Sequence, residues 1–254
     1  MKRGNFMELT AALAAGAGTI GAGSAITTQH VQFSSLGAQV PAYAASPGVA
    51  GSATAGVVVV MHVWGVDASI RDVVDGFAKA GYAAIAPDLY ARENAPPSGD
   101  GARDYRPFAA FAQKLDRAQV DADLRVAAMW LRSQHPQAKI GVIGFCMGGG
   151  IALRQAIDNA DVFAADAVCY GKLEGTDPAR VAIPIVGSFG AKDTGIPADS
   201  VRAFAAGLRV PNDVVIYPDA GHAFFDSHRS SYVASAAQDG WRRILSFFGK
   251  YLRQ

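Results

Sequence analysis

One short stretch of this chain is suited to covalent chemistry: Gly144-Phe145-Cys146-Met147-Gly148, a cysteine with a glycine two residues away on each side. The run from Lys139 to Ile143 is apolar and β-branched and predicts a buried strand, and Ile151 to Ile157 predicts a helix. Joining the two in so few residues demands a sharp turn, the nucleophile-elbow pattern, here with cysteine where serine is commoner. Gly144 and Gly148 fall where a Cβ would collide with the neighbouring turn. The following helix would present free N–H groups and its positive dipole end to the sulfur, which favours thiolate over thiol. The plain alternative is a structural cysteine in a strand-helix corner. Phosphate readings of this turn fare worse, because G-x-G-x-x-G does not match it and no Gly-Lys-Ser/Thr follows.

A cysteine nucleophile needs a base within hydrogen-bond reach, and the base needs an orienting group. Behind a nucleophile elbow these follow in the order acid, then histidine, each on a loop after a strand. Asp193 in Ala191-Lys192-Asp193 follows a predicted strand at 183–189, and His222 in Ala220-Gly221-His222-Ala223-Phe224 follows one at 213–217. His62, at the end of a strand beside the elbow, is the rival base. His30, His135 and His228 lie in a hairpin, at a helix end and near the last helix. Asp219 is an alternative acid, better placed to cap its own turn. Asp199 falls on a helix, pointing away.

The elements that would hold these residues alternate strand with helix. Segments 30–35 and 38–44 predict an antiparallel hairpin at a sheet edge, where Pro41 is tolerable. Val57 to Met61 predicts a strand buried on both faces, and residues 70–80 an amphipathic helix closed by Gly81. A strand at 82–87 leads into an irregular loop over 92–107, then a short helix at 108–115 and a long one at 117–133 ended by Pro136. Further strands are expected at 163–170, 183–189 and 213–217, a helix from near Pro197, and a final helix over 230–251. This is an α/β fold: a mostly parallel sheet with helices on both faces, right-handed crossovers and no room for a cap domain. Ligands on such a sheet bind at the carboxyl ends of the strands.

With 254 residues, half of them apolar, the chain can build one substantial core. Its 23 Lys and Arg nearly balance 22 Asp and Glu, so no net field draws it to nucleic acid or anionic membrane. Two cysteines make no disulfide framework, and no Cys-x-x-Cys or His-rich cluster points to a metal. The N-terminus differs in kind. Lys2 and Arg3 precede a charge-free Ala/Gly/Leu/Thr stretch from Leu9 to Ala25, with small residues at Gly23-Ser24-Ala25. That layout predicts a secretory leader over residues 1–26 and export of the single domain at 27–254, the alternative being a flexible tail on a cytoplasmic protein.

Gly144-Phe145-Cys146-Met147-Gly148-Gly149, Pro87-Asp88-Leu89-Tyr90-Ala91-Arg92, Ala191-Lys192-Asp193 and Ala220-Gly221-His222-Ala223-Phe224 together resemble the dienelactone hydrolase family over residues 30–252. The resemblance implies a capless three-layer α/β-hydrolase fold that hydrolyses a small ester or lactone through a Cys146-His222-Asp193 triad and a thioester, with no cofactor and no metal. It implies an oxyanion hole from the backbone N–H groups of Met147 and Trp64. Arg92 would bind a substrate carboxylate or else face solvent, and Tyr90 and Phe224 would line an apolar pocket. Two departures stand out: Val63 occupies the position after His62 where the family typically carries Glu, and the second substrate arginine shortly after the histidine is replaced by Phe224-Phe225-Asp226. A small-molecule substrate, no membrane partner for the mature chain and a monomer are expected. The competing readings are a broader carboxylesterase or thioesterase for apolar acyl groups, a weakly catalytic binding protein, and a redox or structural pair of Cys146 with Cys169.

Overall fold

The computed structural model describes residues 25–49, 51–95 and 98–253. The expected leader therefore lies outside the described residues, except for the start of the first strand. Eight strands form one sheet: β1 (Ile26–Ser35), β2 (Ala38–Pro47), β3 (Ala55–Val60), β4 (Ala83–Pro87), β5 (Lys139–Phe145), β6 (Ala165–Cys169), β7 (Ile185–Gly190) and β8 (Asn212–Tyr217). They are ordered β1-β2-β4-β3-β5-β6-β7-β8. The β1–β2 and β2–β4 pairings are antiparallel and the rest parallel. The parallel strands β3 to β7 are almost wholly buried because helices cover both faces of the sheet.

Among the described residues six α-helices make the outer layers: α1 (Ala68–Lys79), α2 (Arg106–Ala112), α3 (Arg117–Gln134), α4 (Met147–Asp158), α5 (Ala198–Gly207) and α6 (Ala234–Leu252). In α6, Ala237, Trp241, Ile244, Phe248 and Leu252 fall on one stripe and are buried. Burying each of the larger side chains contributes about 1.5–3 kcal/mol. Phe77 of α1 packs on Trp241 and Phe248, so α1 and α6 share a face. On the other face Arg154 and Gln155 of α4 both bond Asp121 of α3.

Two helix starts and the placement of Pro41 differ from the sequence expectation for local reasons. The last helix starts at Ala234, not residue 230. The preceding residues are tied to the turn above them: Val233 N–H donates to the Phe224 carbonyl at 3.1 Å and Ser231 Oγ to the Ala223 carbonyl at 3.1 Å. The short helix begins at Arg106, with Pro107 in its first turn, where a missing N–H costs nothing. Pro41 lies in β2, inside the outermost strand β1. Its carbonyl accepts Asp88 N–H at 2.8 Å, so its ring nitrogen points the same way, past the end of β4 at Pro87, where no ladder bond is lost.

Candidate active site

The residues expected to do chemistry come together at the carboxyl edge of the sheet. Cys146 follows β5 and immediately precedes α4. Its backbone is left-handed, φ 56° and ψ −118°, a conformation that costs a non-glycine residue about 1–3 kcal/mol. The surroundings enforce it. A Cβ on Gly144 would lie 1.9 Å from the Gly148 carbonyl oxygen, and one on Gly148 would lie 2.4 Å from that of Val60. Only glycine lets the turn close so tightly against β3.

His222 follows β8, with its Nε2 3.0 Å from Cys146 Sγ. Its Nδ1–H donates to Asp193 Oδ2 at 2.7 Å. Asp193 follows β7; its side chain is only 3% exposed, and its other oxygen accepts the Gly195 N–H at 2.9 Å. The two loops are laced together by Ala191 N–H to the Tyr217 carbonyl and Lys192 N–H to the Ala220 carbonyl, both at 2.9 Å. The hydrogen bond to the sulfur, helped by the charges of Cys146 and Asp193, outweighs burial and raises the His222 pKa to about 9.

The alternatives separate cleanly. His62 is buried and its Nε2 is held by Asp67 at 2.8 Å. Asp219 is 83% exposed and pairs with Lys192, and Asp199 is exposed and pairs with Arg202. Cys169 is also brought close, since its carbonyl accepts Cys146 N–H at 3.0 Å. Both thiols are free, however, and that of Cys169 is fully enclosed, with burial pushing its pKa well up. The structure thus holds no Cys146–Cys169 pair.

Met147 is the first residue of α4, so its N–H has no acceptor within the helix. Trp64 stands in the turn closed by Gly65 N–H to the His62 carbonyl at 3.1 Å, after β3. Tyr90, after β4, donates its hydroxyl to the Val63 carbonyl at 2.9 Å and lies 3.8 Å from Met147 Sδ.

Two expected binding residues are placed otherwise. Arg92 is turned inward, its side chain 14% exposed: the guanidinium grips buried Asp123 at 2.6 and 2.9 Å and donates to the Ser35 carbonyl at 2.7 Å. A buried carboxylate left without a counter-charge would be strongly destabilising, and Arg92 supplies that charge. Phe224 is fully buried and packs against Tyr170, Tyr217 and Phe225, so it belongs to the core.

Sequence reasoning missed two neighbours. Tyr170 packs its ring edge on His222 at 5.2 Å, from a backbone φ of 39°. Its place directly after a strand, ahead of Gly171, was the available signal. Arg229 stacks on the Trp64 ring at 3.8 Å, donates to the Ala102 carbonyl at 2.6 Å, and pairs with Asp226 and Asp67. His62, Asp67 and Asp226 lie close enough together to hold a cation, but the Arg229 guanidinium already supplies that charge.

Comparison with known proteins gives a consistent result. The sequence model of the "Dienelactone hydrolase family" matches residues 40–252. Two curated proteins named "Putative carboxymethylenebutenolidase" align over most of their length. The one from Salmonella typhimurium is 37% identical, covering 89% of this chain and 88% of that protein. The one from Yersinia pestis is 39% identical, covering 85% and 86%. The crystal structure of a "Putative Dienelactone Hydrolase" from Klebsiella pneumoniae superposes with a TM-score of 0.80 at 35% identity, over 89% of this chain and all of that one.

Proposed function

Because the chain belongs to the dienelactone hydrolase family, a family of hydrolases, we propose that it cleaves a small ester or lactone with Cys146 as nucleophile, His222 as proton carrier and Asp193 as the group that orients the imidazole. The observation carrying this reading is the unbroken relay from sulfur to imidazole to buried carboxylate, 3.0 and 2.7 Å. With the His222 pKa raised to about 9, the imidazole holds its proton at neutral pH and Nε2–H donates to the sulfur. A thiolate beside that imidazolium is the attacking species in this reading.

The steps follow from this arrangement. The thiolate adds to the carbonyl carbon, and the carbonyl oxygen takes the negative charge. The N–H groups of Met147 and Trp64 are the candidate donors to that oxyanion, each worth about 3 kcal/mol of barrier. The carbon–oxygen bond breaks as His222 gives its Nε2 proton to the departing alkoxide, leaving a thioester on Cys146. In a lactone the freed hydroxyl stays on the acyl chain. Water then attacks the thioester, passing its proton to Nε2, and the acid leaves as the thiolate re-forms. Asp193 keeps Nδ1 protonated throughout, so that Nε2 faces the sulfur. Val63, where the family typically carries Glu, leaves His222 as the sulfur's partner.

Alkylation tests the reading. Iodoacetamide should abolish p-nitrophenyl acetate hydrolysis in a time-dependent way, with the mass adduct on Cys146 and none on enclosed Cys169. Full activity after stoichiometric modification of Cys146, or undiminished turnover by Cys146→Ala, would overturn it.

A further inference from the structure

Between β2 and the loops after β3 and β4 lies a cleft of about 220 Å³. Tyr43 of β2, Trp64 after β3, Tyr90 after β4 and Phe108 of α2 form its aromatic walls, with Asp88 and Arg71 as its charged lining. Trp64 and Tyr90 follow β3 and β4, and β3 pairs with β5, whose end carries the sulfur. Cys146, Asp193 and His222 do not line the cleft; Tyr90 links it to them, for it touches Met147, the residue after Cys146. A cavity of about 150 Å³ suffices to hold benzene, so one ring fits here. Aromatic walls add about 0.5–1.5 kcal/mol per ring contact beyond simple burial.

The charges argue against an anion. Arg71, the cation in the lining, spends its guanidinium on the Val66 carbonyl at 2.7 Å and on Asp100 at 2.8 Å. Arg92 is outside the cleft, bound to Asp123, and Arg229, across the Trp64 ring, is paired with Asp226 and Asp67. Arg103 is exposed and does not line the cleft. A substrate carboxylate would meet Asp88 there and, among the described lining residues, find no uncommitted arginine or lysine to offset its desolvation. Burial already raises the Asp88 pKa, a sign of how poorly this place tolerates negative charge.

We propose that this cleft seats the ring of an uncharged aryl ester or unsaturated lactone and rejects the carboxylate-bearing counterpart. The proposal rests on the hydrolytic reading of Cys146 and narrows its substrate class.

The test uses the full chain and three acetates: phenyl acetate, 4-acetamidophenyl acetate as a neutral para-substituted control, and 4-acetoxybenzoate as the anion. Both neutral esters should exceed the anion in kcat/KM by at least tenfold, and Phe108→Ala should lower the phenyl-to-methyl acetate ratio at least fivefold. Calorimetry with Cys146→Ala separates binding from turnover: phenyl acetate should bind measurably tighter than 4-acetoxybenzoate. Equal kcat/KM for anion and neutral esters, or equal binding, would overturn the proposal. If none of the three is hydrolysed while the binding preference holds, the hydrolytic reading fails and the cleft assignment stands; if the preference is absent too, both fall.

Discussion

His222 keeps its proton to about pH 9 because a sulfur acceptor sits at one ring nitrogen and a buried carboxylate at the other. The pH dependence follows. An imidazole whose pKa is raised on folding stabilises the native state fully below its ordinary pKa, and that contribution is lost as pH rises through about 9. In the proposed acylation the same proton goes to the departing alkoxide, so kcat/KM should fall on the alkaline side with an apparent pKa near 9. That value belongs to the sulfur–imidazole pair as a unit. Asp193→Asn removes the carboxylate that supports the imidazolium and lets the ring adopt the wrong tautomer. It should lower kcat by about 10²-fold or more and move the alkaline limb to lower pH. An unmoved limb in this variant would show that Asp193 does not act on the imidazole. At this scale the sequence was informative, since Cys146, Asp193 and His222 each follow a strand in the order a nucleophile elbow requires. It was silent on Arg92 because a loop arginine looks the same whether its partner is a substrate or Asp123.

Among the elements, β6 carries a group the proposed chemistry does not use. Asp166 is fully enclosed in the sheet, and burial raises its pKa well above the ordinary carboxylate range. Burial thus favours the neutral form of this carboxyl over the charged one. For an acid whose pKa is raised on folding, stability is highest below its unfolded pKa and declines as pH rises toward the folded value; each unit of the raise costs about 1.4 kcal/mol. Asp166→Asn removes the ionisation and should gain stability relative to the native chain as pH goes from 5 to 8. Urea denaturation at both values measures it, and a constant difference between the two proteins would show that Asp166 does not titrate on unfolding in that range. Helices and strands were themselves legible where the apolar period was long, as in α1 and α6. Boundaries shifted where a backbone partner from another loop took over, as the Phe224 carbonyl does for Val233.

Across the whole molecule, the Arg92–Asp123 pair fastens three parts together: the loop after β4, helix α3 and, through the Ser35 carbonyl, the end of the N-terminal hairpin. Asp123→Asn should therefore cost about 3–5 kcal/mol of stability, because it leaves a largely enclosed guanidinium without its counter-charge. Thermal denaturation of the purified variant tests this, and a Tm within a degree of the native chain would show the pair to be dispensable. No apolar periodicity foretells such a clasp. What the amino-acid order determined by itself is local: where glycine permits the elbow, where β-branched runs make buried strands, and which three side chains stand at strand ends. Which cations are spent on internal carboxylates, which aromatics wall a cleft and which fill the core were decided by the tertiary structure alone. Those outcomes depend on distances between segments up to a hundred residues and more apart, as between Arg229 and Ala102, and only the closed sheet sets them.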